Sequence, residues 1–310
     1  MIALWSIAPV MILISLGILA RKLGLLEPSS MRNLNALLYW ICLPALLFHK
    51  VQALEFQIDQ VAPFFWSLLL ASLASIFTSA LLAVFMRLPG PQRAAFMQAG
   101  FRGNLAFVGL PVALFYLQAR GLGTPELEGQ IFLVLAPGIL IYNVFGVVLL
   151  ASADLNFSKA AWSHFARQLA GNPLILSVLL GLIWGELNWP VGMVFDKTLG
   201  VLSAAVLPLA LMGVGASADF SGVKQVGRLP VIAAVIKCFV TPFYGYWIAR
   251  VIGLSQEEQR ILVILLIAPT AAAAYIMAQQ MGADEKLTSQ AIVLSVLVSL
   301  VAYLGSLSLL

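Results

Sequence analysis

Two basic residues, Arg102 and Lys237, lie in apolar segments whose interiors contain no Asp or Glu. An arginine or lysine at the centre of a bilayer costs from about 3 to more than 10 kcal/mol, and such residues usually have a function. Arg102 must therefore be satisfied by an anionic ligand or by backbone carbonyls, or it must snorkel to the interface. Lys237 presents the same problem, and pairing with helix C-terminal carbonyls is one solution.

Glycine and proline interrupt two of the apolar segments, 94–117 and 261–281. The backbone N–H and C=O groups that an interruption frees from helical hydrogen bonds cannot face lipid. Where two half-helices begin near mid-membrane, their N–H groups and positive dipole ends can bind a carboxylate. Asn104 and Thr270 add polar side chains there, although local capping is the alternative explanation for both. Asn143 is either a ligand contact or a helix–helix contact. The candidate substrate-binding residues are Arg102, Gly103, Asn104, Pro111, Asn143, Lys237, Pro269, Thr270 and Ala271.

Enzymatic chemistry has little support in this sequence, which predicts no catalytic residue, metal site or cofactor. His49 and His164 are the two histidines, one at a segment end and one in a loop, and no acidic cluster is present. This disfavours an intramembrane enzyme acting on lipid-linked substrates. Cys42 and Cys238 are isolated, as expected for buried small apolar residues. The basic residues are scattered, so no nucleic-acid partner is predicted.

The candidate residues must be positioned by apolar segments of membrane-spanning length. The chain has 310 residues, is 62% hydrophobic and 10% charged, and has a mean hydropathy of +1.00. A hydrocarbon core about 30 Å thick needs roughly 17 to 25 helical residues. We therefore predict an all-α integral membrane protein, with the lipid bilayer as its solvent. Its ten transmembrane helices are predicted at 3–20, 34–48, 61–86, 94–117, 131–151, 173–189, 199–216, 230–252, 261–281 and 291–310.

The distribution of Lys and Arg among the connections predicts the orientation. The odd-numbered connections contain ten: Arg21, Lys22, Arg32, Arg87, Arg93, Lys159, Arg167, Lys224, Arg228 and Lys286. The even-numbered connections contain five: Lys50, Arg120, Lys197, Arg250 and Arg260. Because positive loops stay in the cytoplasm, both termini are expected on the periplasmic side of a bacterial inner membrane. The first span is expected to be a retained helix and not a signal peptide, since basic residues follow it directly.

Prolines and glycines recur at one constant offset, 164 residues from Pro9 to Pro173. Gly17 with Gly181 and Leu43-Pro44 with Leu207-Pro208 share that offset. The recurrence predicts two five-helix repeats, 1–155 and 156–310, although prolines are common in membrane helices anyway. Because five is odd, the second repeat enters the membrane in the opposite orientation, which is the inverted-topology architecture of secondary transporters.

Three short motifs resemble those of the auxin efflux carrier family. They are Asn104-Leu-Ala-Phe-Val-Gly-Leu-Pro111, Pro269-Thr270 and Pro44-Ala-Leu-Leu-Phe-His49. The resemblance covers essentially the whole chain, without the long cytoplasmic loop of many plant members. Gly103 stands where plant members have proline, and Thr270 where they have glutamine, so auxin is not inferred as the substrate.

The resemblance implies a fold like that of sodium–bile acid symporters, with broken helices four and nine crossing each other. The implied scaffold is 1–50 and 172–218, and the implied transport domain is 60–152 and 229–310. We expect a secondary transporter of small organic anions that works by alternating access, with an elevator-type motion. An anion channel, or a sensor that binds the anion without moving it, is the alternative. The other expected partner is a second copy of the chain, joined through the scaffold helices.

Overall fold

The computed structural model describes residues 2–54, 58–151, 171–217 and 227–309. These residues form helices joined by short connections, with one isolated antiparallel bridge between Gly103 and Thr270. The predicted all-α class is confirmed over this part of the chain. Several residues used to predict orientation or to weigh catalysis lie outside the described residues: Lys159, His164, Arg167 and Lys224.

Seven α-helices are described in the first half of the chain. They are α1 (Ile2–Lys22), α2 (Pro28–Leu37), α3 (Leu43–Val51), α4 (Ile58–Phe85), α5 (Gly90–Phe101), α6 (Leu110–Arg120) and α7 (Pro125–Ala151). A π-helical turn, Leu38–Cys42, joins α2 to α3, and a second, Leu105–Gly109, leads into α6.

Seven more α-helices are described in the second half. They are α8 (Pro173–Glu186), α9 (Met193–Ser217), α10 (Arg228–Val235), α11 (Thr241–Ile252), α12 (Gln256–Ile267), α13 (Ala273–Gln280) and α14 (Glu285–Leu309). The π-helical turn Ile236–Val240 joins α10 to α11 and contains Lys237. Such turns are frequent at functional sites in α-helices.

Six of the described helices are long and apolar enough to cross a bilayer. They are Asn33–Val51, Val61–Phe85, Leu127–Ala151, Met193–Ser217, Arg228–Ile252 and Glu285–Ser306. Leu105–Arg120 and Pro173–Glu186 are shorter apolar helices. The predicted spans at 94–117 and 261–281 are each divided between two short helices, so neither is one long helix. The protein is thus a multi-span membrane protein, and the number of crossings stays a prediction.

The chain divides into two compact units, of which unit 1 contains the described parts of Met1–Ala62, Leu110–Pro137 and Gln168–Ala218. Inside unit 1, α1 packs against α9 through glycines. A Cβ at Gly17 would lie 2.0 Å from the Met212 carbonyl oxygen, and one at Gly215 would lie 2.0 Å from that of Ile14. Glycine is required at both positions because the two backbones are nearly in contact.

Unit 2 contains the described parts of Pro63–Gly109, Gly138–Arg167 and Asp219–Leu310. Hydroxyl pairs join α4 to α11 in its interior: Ser75 Oγ lies 2.7 Å from Thr241 Oγ1, and Thr78 Oγ1 lies 2.8 Å from the Tyr244 hydroxyl. The implied transport domain, 60–152 and 229–310, differs from this unit, because Leu110–Pro137 is grouped with unit 1. The division into scaffold and transport domain remains a prediction.

Candidate functional site

The site is built where α5 and α12 end inside unit 2. The helix α12 stops at Ile267 because Ala268 precedes a proline, which disfavours the α conformation. Ala268 accordingly has φ −45° and ψ 133°. The helix α5 stops at Phe101, and Arg102 is extended, with φ −77° and ψ 91°. Both interruptions therefore lie within the segments where glycine and proline predicted them.

The two interruptions meet and satisfy each other's backbone groups. The Asn104 amide donates to the Pro269 carbonyl at 2.7 Å, and the Ala271 amide donates to the Arg102 carbonyl at 3.0 Å. These bonds flank the antiparallel bridge between Gly103 and Thr270. Backbone groups that a continuous helix would use internally are thus paired across the crossing, as an apolar surrounding requires.

The side chains of Asn104 and Thr270 both bond to nearby backbone. Asn104 Oδ1 accepts from the Phe107 amide at 3.2 Å and so caps the turn after the interruption. The Asn104 side chain is 9% exposed, and its Nδ2 has no hydrogen-bond partner among the described residues. The Thr270 hydroxyl donates to the Ala99 carbonyl at 2.9 Å, and the Thr270 amide donates to Ser295 Oγ at 2.9 Å. Thr270 therefore holds the crossing together, whereas Asn104 keeps a free donor.

The start of α13 is the accessible part of the crossing. Ala271 is half-buried, and Ala272 and Ala273 are exposed. No side chain caps this helix end. The first N–H groups of a helix lack intrahelical acceptors and lie at the positive end of the helix dipole. The Ala274 and Tyr275 amides already donate to the Ala271 and Ala272 carbonyls, at 2.9 and 3.1 Å, so the Ala272 and Ala273 amides are those that can donate to the oxygen atoms of an anion.

Arg102 is held inside unit 2 without a carboxylate partner among the described residues. Its side chain is 4% exposed, which excludes snorkelling to the interface. One guanidinium nitrogen donates to Asn143 Oδ1 on α7, and another contacts the Met277 sulfur on α13. Asn143 thus contacts the interruption after α5, and whether it also contacts a ligand stays a prediction. The buried Gln98 amide points its nitrogen at the same sulfur, 3.9 Å away, while its oxygen has no partner.

Lys237 is completely buried in the π-helical turn between α10 and α11. Its ammonium donates to the Leu266 carbonyl near the C-terminal end of α12. This is the pairing with helix C-terminal carbonyls that the sequence suggested. The ammonium also lies against the crossing, because a Cβ added to Gly103 would be 3.1 Å from Nζ and 2.9 Å from Cε.

The candidate residues other than Pro111 lie at the crossing or contact it. Arg102, Gly103, Asn104, Asn143, Lys237, Pro269, Thr270 and Ala271 all belong to unit 2. Pro111 is the second residue of α6 and belongs to unit 1, so it does not form the interruption. Sequence reasoning missed Gln98, Met277 and Ser295. Gln98, a polar residue one helical turn before Arg102, is the one that the sequence could have indicated.

No group of three His, Cys, Asp or Glu side chains that could hold a metal occurs in the described residues. His49 Nε2 lies 2.9 Å from Asp196 Oδ1 in an exposed side-chain contact of unit 1. The two cysteines are buried and free. The polar groups buried in unit 2 include two cations, Arg102 and Lys237, besides amide and hydroxyl groups.

Apolar helices of spanning length around interrupted helices with buried cations define the class of multi-span membrane transporters. The chain belongs to the membrane transport protein family, which includes the auxin efflux carriers, and the family model matches residues 2–305. The family resemblance of the three motifs is thereby confirmed. Membership also supports a transport role in place of an enzymatic one.

Two archaeal proteins of similar length are related to the chain. An uncharacterized transporter of Methanocaldococcus jannaschii is 24% identical over 303 residues, covering 94% of this chain and 93% of the relative. An uncharacterized transporter of Methanothermobacter thermautotrophicus is 23% identical over 304 residues, covering 96% and 95% respectively. Both alignments run through both interrupted segments, so the comparison concerns the whole transporter architecture.

Proposed function

We propose that the protein is a secondary carrier of small organic anions, either mono- or dicarboxylates. The observation that supports this proposal most directly is the crossing of α5 and α12 inside unit 2. There the exposed start of α13, the free Asn104 amide nitrogen and two buried cations are gathered. Family membership supports transport in general, and the chemistry of the crossing supports an anion as the solute.

The charge balance of unit 2 favours an anion over a cation. Its described acidic residues, Glu257, Glu258, Asp284 and Glu285, all lie outside the predicted spans. Arg102 and Lys237 are hydrogen-bonded to neutral acceptors, an amide oxygen and a backbone carbonyl. A carboxylate would add the negative charge that this interior lacks, and charge-assisted hydrogen bonds to it are about twice as strong as neutral ones.

Alternating access needs two related arrangements of one structure, which an inverted repeat provides. Two contacts within unit 2 support a repeat of this kind. The pairs Ser75–Thr241 and Thr78–Tyr244 are each separated by 166 residues, close to the 164-residue offset, so nearly equivalent positions of the two halves face each other. In the proposed ten-helix inverted repeat these pairs would lie near a pseudo-twofold axis. The proposed elevator motion would carry the crossing past the scaffold helices.

The proposal also includes the membrane, the orientation and the assembly of the carrier. Lys and Arg in the odd-numbered connections favour a bacterial inner membrane location with periplasmic termini. A homodimer through the scaffold helices is the proposed assembly.

The test is uptake into liposomes that contain the purified protein. Labelled malonate, malate and an aromatic acid are offered in turn, and saturable uptake with counterflow is expected for at least one of them. Counterflow separates a carrier from a channel, in which current would not saturate, and from a sensor, which would bind without uptake.

Asn104→Ala is expected to abolish uptake because it removes the free amide donor. Asn104→Asp keeps an oxygen to cap Phe107 but adds a negative charge, so it should abolish uptake in a folded protein. Asn172→Ala is the matched control, because Asn172 caps α8 and belongs to unit 1, whereas the crossing belongs to unit 2. Unchanged uptake by Asn104→Ala would rule out the proposed site.

A further inference from the structure

The carbonyl ends of the interrupted helices offer a second kind of site, opposite in polarity to their N-termini. The last carbonyls of an α-helix have no intrahelical donors, and they lie at the negative end of the helix dipole. In secondary transporters, half-helix C-termini and unwound carbonyls coordinate the coupling cation. Unit 2 contains two such ends, one on α5 and one on α12.

Carbonyl groups at the C-terminal end of α5 accept hydrogen bonds from neutral hydroxyl groups. The Gly100 carbonyl accepts from Ser75 Oγ at 3.0 Å, and the Ala99 carbonyl accepts from Thr270 Oγ1 at 2.9 Å. Each of these carbonyls already has a protein donor. The Ala99 and Gly100 carbonyls are thus satisfied without a charge.

At the C-terminal end of α12, one carbonyl accepts a hydrogen bond from a hydroxyl group and another accepts one from a cation. The Ile264 carbonyl accepts from the Tyr303 hydroxyl at 3.1 Å, and the Leu266 carbonyl accepts from the Lys237 ammonium. Lys237 is fully buried, and no acidic side chain pairs with it among the described residues. The ammonium is therefore placed at the negative end of a helix, with its stem passing the crossing at Gly103.

We propose that the Lys237 ammonium is a built-in cation that occupies the carbonyl end of α12, where a secondary transporter would otherwise bind a coupling sodium ion. This inference rests on the proposed carrier function and adds its ion dependence. A tethered charge needs no ion gradient to remain bound, so the anion moves without Na⁺. The positive charge beside Gly103 also stabilises an anion at the crossing.

The experiment measures thermal unfolding of the purified full-length protein without any organic anion, in NaCl or in choline chloride of equal ionic strength. The unsubstituted protein is expected to melt at the same temperature in both salts. A rise in melting temperature specific to Na⁺ would overturn the inference. Because no anion is present, that result would leave the proposed function untouched, whereas failure of all anions to bind or be taken up would reject the proposed function alone.

Lys237→Ala removes the charge and leaves space for a small ion. This variant is expected to melt at a lower temperature in choline chloride and to recover in NaCl or in methylammonium chloride, by the linkage of ligand binding to stability. Lys237→Arg keeps the charge and should remain insensitive to Na⁺. A Lys237→Ala protein equally stable in all three salts would overturn the inference. If this variant does not fold, the comparison of salts on the unsubstituted protein decides.

Discussion

Arg102 is surrounded by acceptors that are weak for a buried guanidinium. Its nitrogens reach an amide oxygen on Asn143 and the thioether sulfur of Met277, and Gln98 directs its own amide nitrogen to that sulfur. A thioether is a poor hydrogen-bond acceptor, so two donors converge on an atom that satisfies neither well. A carboxylate ligand that displaced the sulfur would accept from both. We therefore expect Arg102 and Gln98 to contact the anion in the proposed carrier.

Substituting Asn143 tests whether the charge of Arg102 is used by the ligand. Asn143→Asp places a carboxylate beside the guanidinium and neutralises it. We expect the affinity for the anion to fall by about tenfold or more, which corresponds to ~1.4 kcal/mol. The fold should become more stable, because a buried charge gains an opposite partner. Calorimetric titration and thermal unfolding measure the two effects.

Asn143→Ala tests the hydrogen bond to Arg102 separately from the charge of the Arg102 guanidinium. It removes an acceptor that serves a charged donor, so the unfolding free energy is expected to drop by about 1.5 to 3 kcal/mol. The guanidinium keeps its charge, and anion affinity should be retained. Equal anion affinity in Asn143→Asp and in the unsubstituted protein would contradict the assignment of Arg102.

Single residues were predictable from sequence where placing their side chains in lipid costs a large free energy. Arg102 and Lys237 were indicated by charge alone, and the structure places both at or beside the crossing. Met277 was not predictable, because a methionine in an apolar helix is indistinguishable from a lipid-facing one until the neighbouring helix is placed. The partner of Lys237 was predictable as a type of group, a helix-end carbonyl, but not as Leu266.

The interrupted helices show why helix breaks were easier to predict than their exact positions. Pro269 acts on its predecessor through steric exclusion, a local effect that sequence reveals directly. In the other segment the proline is Pro111, yet the interruption lies earlier, at Arg102 to Asn104. The backbone there is held open by hydrogen bonds to residues far along the chain, which no local pattern contains.

The crossing itself is expected to depend on the Thr270 hydroxyl. Thr270→Val preserves shape but leaves the Ala99 carbonyl without its donor. Loss of one such buried hydrogen bond should lower the unfolding free energy by about 1 kcal/mol. Thr270→Ser keeps the hydroxyl and serves as the control, and denaturant unfolding compares the two. A Thr270→Val protein as stable as Thr270→Ser would show that the hydroxyl does not hold the crossing.

At the scale of the whole molecule, composition indicated a membrane protein because few charged residues are spread over long apolar runs. The proline and glycine offset indicated two halves, and contacts support that relation from both units. In unit 1, α1 packs on α9 while α8 packs on α3, which are equivalent pairs under the offset. The grouping of Leu110–Pro137 with unit 1 was not predictable, since it depends on long-range packing.

The proposed inverted repeat makes a definite prediction about orientation. The connection between spans four and five and that between spans nine and ten are equivalent, and inversion places them on opposite faces of the membrane. Gly123 and Lys286 lie in these two connections and are exposed. Single cysteines at these positions are introduced after Cys42 and Cys238, which are both buried, have been replaced by alanine.

In intact cells, a membrane-impermeant maleimide is expected to label Gly123→Cys, because the positive-inside pattern places that connection in the periplasm. Lys286→Cys should react only after the membrane is permeabilised. Gln256→Cys, in the connection between spans eight and nine, is the matched control and should react as Gly123→Cys does. If Gly123→Cys and Lys286→Cys were labelled from the same side, the two halves would be parallel, and the proposed alternation between two inverted arrangements would have no structural basis.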